Sequence, residues 1–349
     1  MGCGPKLSSR KFKIKLKGVL ILSCVLVFSG CASKPEPGDK AQLPQRQDLF
    51  DGQSLLVGQS QTRPPSEQQA LELAVKEEQA GRLDKALYLY IQALDFNPVN
   101  AETFYKIAHI HTLRGRDDIA YRAYNEALTV DPNYMPAQAE FGIIKMGQRE
   151  YSQARLHLEK AVSLDQQRLK EQRGLADNQT MMPLDQQSPL RVYNALGILE
   201  DLENHHDKAR SYFWLALDYQ PYSAVIATNL GYSYYLGGEL SMAERYLKQA
   251  IQYDSSYERA WSNLGLVYIR TGQYSKALST FEQNMSKADA LNDLGYFLML
   301  DGKYDRAITL FKQAIDASPS YFEQAQKNLK IAESELQLHS APLASHTIQ

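Results

Sequence analysis

Residues 261–281 read WSNLGLVYIRTGQYSKALSTF. Trp261, Leu264, Gly265 and Tyr268 recur at helical spacing and share one face of an α-helix. After a break at Gly272, Ala277 and Phe281 continue four residues apart on a second helix. A glycine beside large aromatics makes sense if a neighbouring helix approaches closely at the glycine. The rings then fill the space where the two helices diverge.

The pattern is not solitary. Its second-helix alanine recurs as Ala86, Ala120, Ala154, Ala209, Ala243, Ala277 and Ala307, at spacings of 34, 34, 55, 34, 34 and 30 residues. Twelve residues before each stands a small residue: Ala74, Ala108, Gly142, Gly197, Gly231, Gly265 or Gly295. Seven residues after it come Ala93, Ala127, Ala161, Ala216, Ala250, Asn284 and Ala314. Three registers of small residues kept in step predict pairs of helices joined by tight turns. Gly81, Gly115, Gly238, Gly272 and Gly302 lie at those turns, and Pro98, Pro132, Pro221 and Pro319 fall between pairs, where a helix must stop. No pair can bury its apolar face alone, so the pairs must stack.

A 34-residue helix–turn–helix unit with this register resembles the tetratricopeptide repeat, and the resemblance covers residues 67–321. It implies an all-α fold, a superhelix of about seven repeats closed by a C-terminal capping helix. The departures are local. The 55-residue spacing marks an insertion between the third and fourth repeats, whose start can extend the preceding helix and whose end, with Pro183 and Pro189, reads as a loop. The sixth repeat is four residues short, and Ser286 with Asp289 forms a capping box able to restart the next helix. Phe322, Ala325, Leu329, Ala332 and Leu336 form one apolar stripe on a polar segment, as a capping helix requires.

The amino terminus has a different composition. Residues 1–30 carry six basic groups and no acidic one, and the apolar run GVLILSCVLVFSG ends before Cys31. At ~1.5 Å per residue, thirteen residues are too few to span a ~30 Å hydrocarbon core, and the layout is that of a secretory signal. FSG-Cys-AS resembles a bacterial lipobox, which implies lipidation at Cys31. A plain cleaved signal is the alternative. Myristoylation at MGCGPK is disfavoured because Lys6 stands where Ser or Thr is needed. Ala32 and Ser33 after the cysteine imply, by the same resemblance, an outer-membrane destination facing the periplasm. Residues 32–65 contain five prolines and no sustained periodicity, and read as a tether in which LFDGQSLL can make a local contact.

The expected organisation is therefore a signal peptide at 1–30, a lipidated and flexible segment at 31–65 and three repeats over 66–166. An insertion follows at 167–189, then four repeats over 190–321, a capping helix over 322–337 and a disordered tail at 338–349.

Beyond residue 30 the chain has 32 basic against 40 acidic groups, a formal charge of about −8 that argues against nucleic-acid binding. All three cysteines, Cys3, Cys24 and Cys31, lie in the first 31 residues, so thiol and zinc–cysteine chemistry are excluded from the repeats. His109 and His111 point to different helix faces, and the adjacent His205 and His206 diverge, so no metal site is expected. The Gly-rich LGG at 236–238 is a repeat turn with no strand before it. No catalytic constellation stands out, and the chain reads as a non-enzyme without a cofactor.

By the family pattern, inward-facing first-helix residues include Tyr105, His109, Asn194, Thr228, Asn229, Tyr232, Tyr235, Ser262, Asn263, Asn292 and Tyr296. Side-chain amides donate and accept, so a row of them can hold the backbone of an extended peptide, and tyrosines add contact area at low entropic cost. The closing repeats, ALNDLGYFLMLDGKYDRAITLFKQAIDASPSYFEQAQKNL, are similar to the TadD-like tetratricopeptide lipoproteins of Flp/Tad pilus assembly. That similarity implies an adaptor acting on an outer-membrane secretin or pilus component. The alternatives are a type IV pilotin-like protein or a scaffold for peptidoglycan enzymes.

Overall fold

The computed structural model describes residues 46–51, 63–174 and 181–340, all within one compact unit spanning 43–349. The signal segment, Cys31, most of the tether and the end of the tail lie outside the described residues. The described residues hold fifteen α-helices and one short 3-10 turn, with no strand among them.

Seven antiparallel hairpins follow in order: α1 (Glu67–Gln79) with α2 (Leu83–Phe96), α3 (Ala101–Leu113) with α4 (Asp117–Val130), and α5 (Met135–Gly147) with α6 (Tyr151–Gln172). Then come α7 (Leu190–Leu202) with α8 (His206–Tyr219), α9 (Ala224–Leu236) with α10 (Leu240–Tyr253), α11 (Glu258–Arg270) with α12 (Tyr274–Phe281), and α13 (Lys287–Leu300) with α14 (Tyr304–Ala317). The last helix, α15 (Glu323–Ser340), packs on α14 and also reaches α13.

Each hairpin closes on one recurring pair, a small first-helix residue facing a large second-helix residue sixteen positions later. A Cβ placed on Gly142 would stand 2.7 Å from Leu158, and one on Gly231 would stand 2.8 Å from Leu247. At Gly197, Gly265 and Gly295 the opposing side chain is a phenylalanine ring, Phe213, Phe281 or Phe311. All five large partners are buried, so the glycines set the distance at which the helices pack.

The turns share one conformation. Five use glycine at positive φ, while the third and fourth hairpins place Arg149 (φ 62°) and Asn204 (φ 63°) at the equivalent position. Asparagine tolerates this region, but arginine is strained there.

Stacking survives both irregularities in the spacing. α5 touches α7 across the insertion because α6 is extended to 22 residues and the chain then folds back along it. Arg168 holds the returning strand of chain through two bonds to Asp185, at 2.7 and 2.8 Å, and Gln166 exchanges hydrogen bonds with the backbone of Met182. In the sixth unit α12 has only eight residues. Ser286 then caps α13 by accepting from the Asp289 amide at 3.1 Å, and the stack resumes.

Two boundaries differ from the sequence reading. The capping helix continues to Ser340, so 338–340 belong to it rather than to a tail. More consequentially, the segment read as tether is not free throughout. Gln47–Leu49 form a 3-10 turn, and Leu49, Phe50 and Asp51 are buried against the first two hairpins. Phe50 meets Tyr88 at 5.9 Å between ring centroids, Arg46 lies over the Phe104 ring, and Arg114 pairs with both Asp51 and Asp84 at 2.8 Å. The docked segment helps cover α2, which is buried at every position from Ala86 to Leu94 and so has no polar outer face of its own.

Candidate functional site

First helices form a continuous surface from the third hairpin onward, because α5, α7, α9, α11, α13 and α15 each touch the next in that series. The candidate binding residues all lie on such helices: Tyr105 and His109 on α3, Asn194 on α7, Thr228, Asn229, Tyr232 and Tyr235 on α9, Ser262 and Asn263 on α11, and Asn292 and Tyr296 on α13.

Their surroundings divide them. Asn229 Nδ2 donates to Asn194 Oδ1 at 2.8 Å, and Asn328 Nδ2 of the capping helix donates to Asn292 Oδ1 at 3.0 Å. Each pair bridges consecutive first helices, so these amides partly serve the stacking itself. Between the pairs sits Asn263, half-buried and without a side-chain hydrogen bond among the described residues, as is its neighbour Ser262. Asn263 therefore keeps two donors and an acceptor for something outside the chain. Tyr232 and Tyr235 stack with ring centroids 5.7 Å apart and remain half-exposed, and Tyr296 is exposed beside Phe297.

Thr228 is a correction. It is 0% exposed, with its hydroxyl oxygen lacking a partner, and it presents nothing to a ligand. Its register faces the neighbouring helix rather than the groove. Tyr105 is half-buried in an aromatic group with His109, Tyr124 and Tyr134, and burial raises its phenol above the usual range. It and His109 lie two hairpins before Asn194.

The histidine pairs separate as their spacing demands. His111 is buried and donates from Nε2 to the Leu49 carbonyl at 2.9 Å, so it anchors the docked N-terminal segment. His205 turns to Glu200 at 3.1 Å and His206 to Asp201 at 2.9 Å. Glu200, Glu203 and His205 come close enough to suggest a cation site. Yet the buried Glu200 carboxylate already accepts from Arg155 at 2.6 Å and pairs with Lys208 at 2.8 Å, and those charges oppose a metal ion. Burial pushes Glu200 up, but Lys208, Arg155 and His205 outweigh it and hold the group below the usual carboxylate range.

Three models described as tetratricopeptide repeat match residues 101–134, 260–293 and 282–322, which fall on the hairpins α3–α4, α11–α12 and α13–α14. Those three hairpins are tetratricopeptide repeats. Comparison with curated proteins returned no match. Among solved structures, a tetratricopeptide repeat protein from Parabacteroides merdae covers 77% of this chain and 100% of its own, at TM-score 0.50 and 15% identity. Looser similarities include YrrB, described as a TPR protein with an unusual peptide-binding site (18% identity, 61% of this chain, 97% of that one, TM-score 0.46). PilF of Pseudomonas aeruginosa is another (15% identity, 67% and 97%, TM-score 0.45). The tetratricopeptide superhelix is generally a non-catalytic scaffold for protein–protein interaction, and the first-helix surface is where this chain offers unspent hydrogen-bonding groups.

Proposed function

We propose that this chain is a lipid-anchored periplasmic adaptor that holds an extended protein segment along its first helices. The observation that carries this reading is the row of amides in which Asn194–Asn229 and Asn292–Asn328 are bonded to each other while Asn263, between them, is not. A peptide backbone laid across α9, α11 and α13 meets Asn263 as both donor and acceptor and the Tyr232–Tyr235 pair as an apolar floor. The anchoring rests on the sequence around Cys31, and an outer-membrane location rests on Ala32 and Ser33. The partner proposed is a secretin or pilus component of a Flp/Tad-type system, from the resemblance of the last repeats.

The test is affinity purification of the full chain from detergent-solubilised outer membranes, beside Asn263→Ala and Tyr232→Ala. Recovery of a secretin or pilus component that falls in both variants is expected. Recovery of wall hydrolases or synthases instead would replace the pilus assignment by a cell-wall scaffold. Cys31→Ala should move the protein to the soluble periplasmic fraction, and persistent membrane association would contradict lipidation there.

A further inference from the structure

Away from the amide row, a cavity of about 690 Å³ opens where α11 and α13 end and α12 begins, with Tyr235 of α9 on its wall. Leu266, Arg270, Tyr274, Leu300 and Lys303 also line it. The Arg270 guanidinium lies 5.1 Å over the Tyr235 ring and donates from Nη1 to the Tyr235 carbonyl at 2.7 Å. It has no carboxylate partner among the described residues. Arg306, 5.5 Å over the Tyr274 ring, has none either. Lys303 donates to the Tyr274 hydroxyl at 2.7 Å and pairs with Asp301, the one acidic residue lining the cavity. Leu300 is 65% exposed.

This combination runs against the rest of the chain. Beyond residue 30 acidic groups outnumber basic ones by 40 to 32, and many cations are spent on neighbouring carboxylates. Here two cations, Arg270 and Lys303, face one acid, Arg306 stands nearby on the Tyr274 ring, and neither arginine is paired with a carboxylate among the described residues. A stacked guanidinium retains unspent donors in a fork suited to a carboxylate. The exposed leucine and the aromatic walls ask for an apolar side chain beside it. An isolated phosphate would leave Leu266 and Leu300 uncovered, and a polyanion would meet the acidic body.

We propose that this cavity binds an acidic segment of a protein partner in which a carboxylate side chain adjoins an apolar one. The carboxylate bonds Arg270, with Arg306 adding charge, while the apolar side chain covers Leu266 and Leu300. The inference rests on the adaptor reading and adds to it a second contact with a stated chemistry, at the turn edge rather than on the amide row.

The experiment uses the full chain and fluorescein-labelled twelve-residue peptides in which Asp or Glu alternates with Leu or Phe. The analogues replace the acids by Asn and Gln, or the apolar residues by Ser. Anisotropy titrations should show binding of the acidic–apolar peptides that weakens with salt and is lost in both analogues. Arg270→Gln should weaken it roughly tenfold, the loss expected for a charged hydrogen bond. Arg270→Lys should recover only part, since an ammonium lacks the fork. Arg270 is exposed, so thermal unfolding of these variants should match the parent. Equal binding of the amide analogue, or full binding by Arg270→Gln, would overturn the proposal. Loss in Asn263→Ala with retention in Arg270→Gln would place the peptide on the amide row, leaving the adaptor reading intact and this one refuted. Binding of no peptide at all would overturn this proposal and leave the adaptor reading to the purification experiment.

Discussion

Single residues carry the geometry of each repeat. The five glycines opposite Leu158, Phe213, Leu247, Phe281 and Phe311 are legible in sequence because each small–large pair repeats in one register. The strained turn at Arg149 is visible only as an absent glycine, and its φ of 62° shows what that absence means. Arg149→Gly should raise the stability of the chain by about 1 kcal/mol, measured by chemical denaturation, since glycine relieves the left-handed penalty with nothing buried to lose. Glu200 supplies a pH signature. Its folded pKa lies below the unfolded value, so its contribution is complete above the ordinary 4.5 and is lost as pH falls through the lower folded value. Glu200→Gln should therefore be destabilised by about 1–2 kcal/mol at pH 7, because Arg155 and Lys208 lose their buried charged partner while Arg155 keeps Glu159 and Glu203. The gap from the parent should narrow below pH 4 in urea titrations. A constant gap from pH 7 to pH 3 would show that the charge of Glu200 is not what matters.

Among the elements, the docked segment at 46–51 is only partly legible: a local contact at LFDGQSLL is expected and Leu49 to Asp51 make one, but its role as cover for α2 is not read from the segment itself. Six residues show no periodicity, and a proline-rich neighbourhood argues for a tether. A usable signal lay elsewhere, in LYLYIQAL of α2, whose apolar residues surround the helix instead of forming a stripe. A helix apolar all round demands cover on its outer side, and Leu49 and Phe50 provide part of it. Leu49 is 0% exposed, so Leu49→Ala should cost about 2–4 kcal/mol and make the 46–51 region open to limited proteolysis. Protection equal to the parent would show that Leu49 does not hold the segment. The buried, unprotonated Nδ1 of His111 beside this segment fits the same account: burial lowers its pKa from the ordinary 6.5, so docking should weaken as pH falls below that value.

Across the whole molecule, stability accumulates from one hairpin to the next, and the last first-helix surface needs a cover. α15 provides it through buried Ala325 and Ala332 and through the Asn328–Asn292 bond. A chain ending at residue 322 should lose more than the local helix. Exposure of Leu291 and Ala314 is expected to lower the unfolding midpoint and to increase binding of an apolar dye. An unchanged midpoint would mean that the seventh hairpin stands without its cap.

The sequence by itself determined the all-helical class, the seven hairpins, the turn positions, the insertion and the cap, because each depends on residues within about one repeat and recurs in register. Tertiary structure alone decided which amides are spent. Asn194 and Asn229 are 35 positions apart and Asn292 and Asn328 are 36 apart, and whether they meet depends on the rotation of one first helix against the next. The same holds for Thr228, buried by that rotation, and for Arg270, which reaches Tyr235 of the preceding repeat. Local spacing sets the face of a helix, but only packing between helices sets what that face meets.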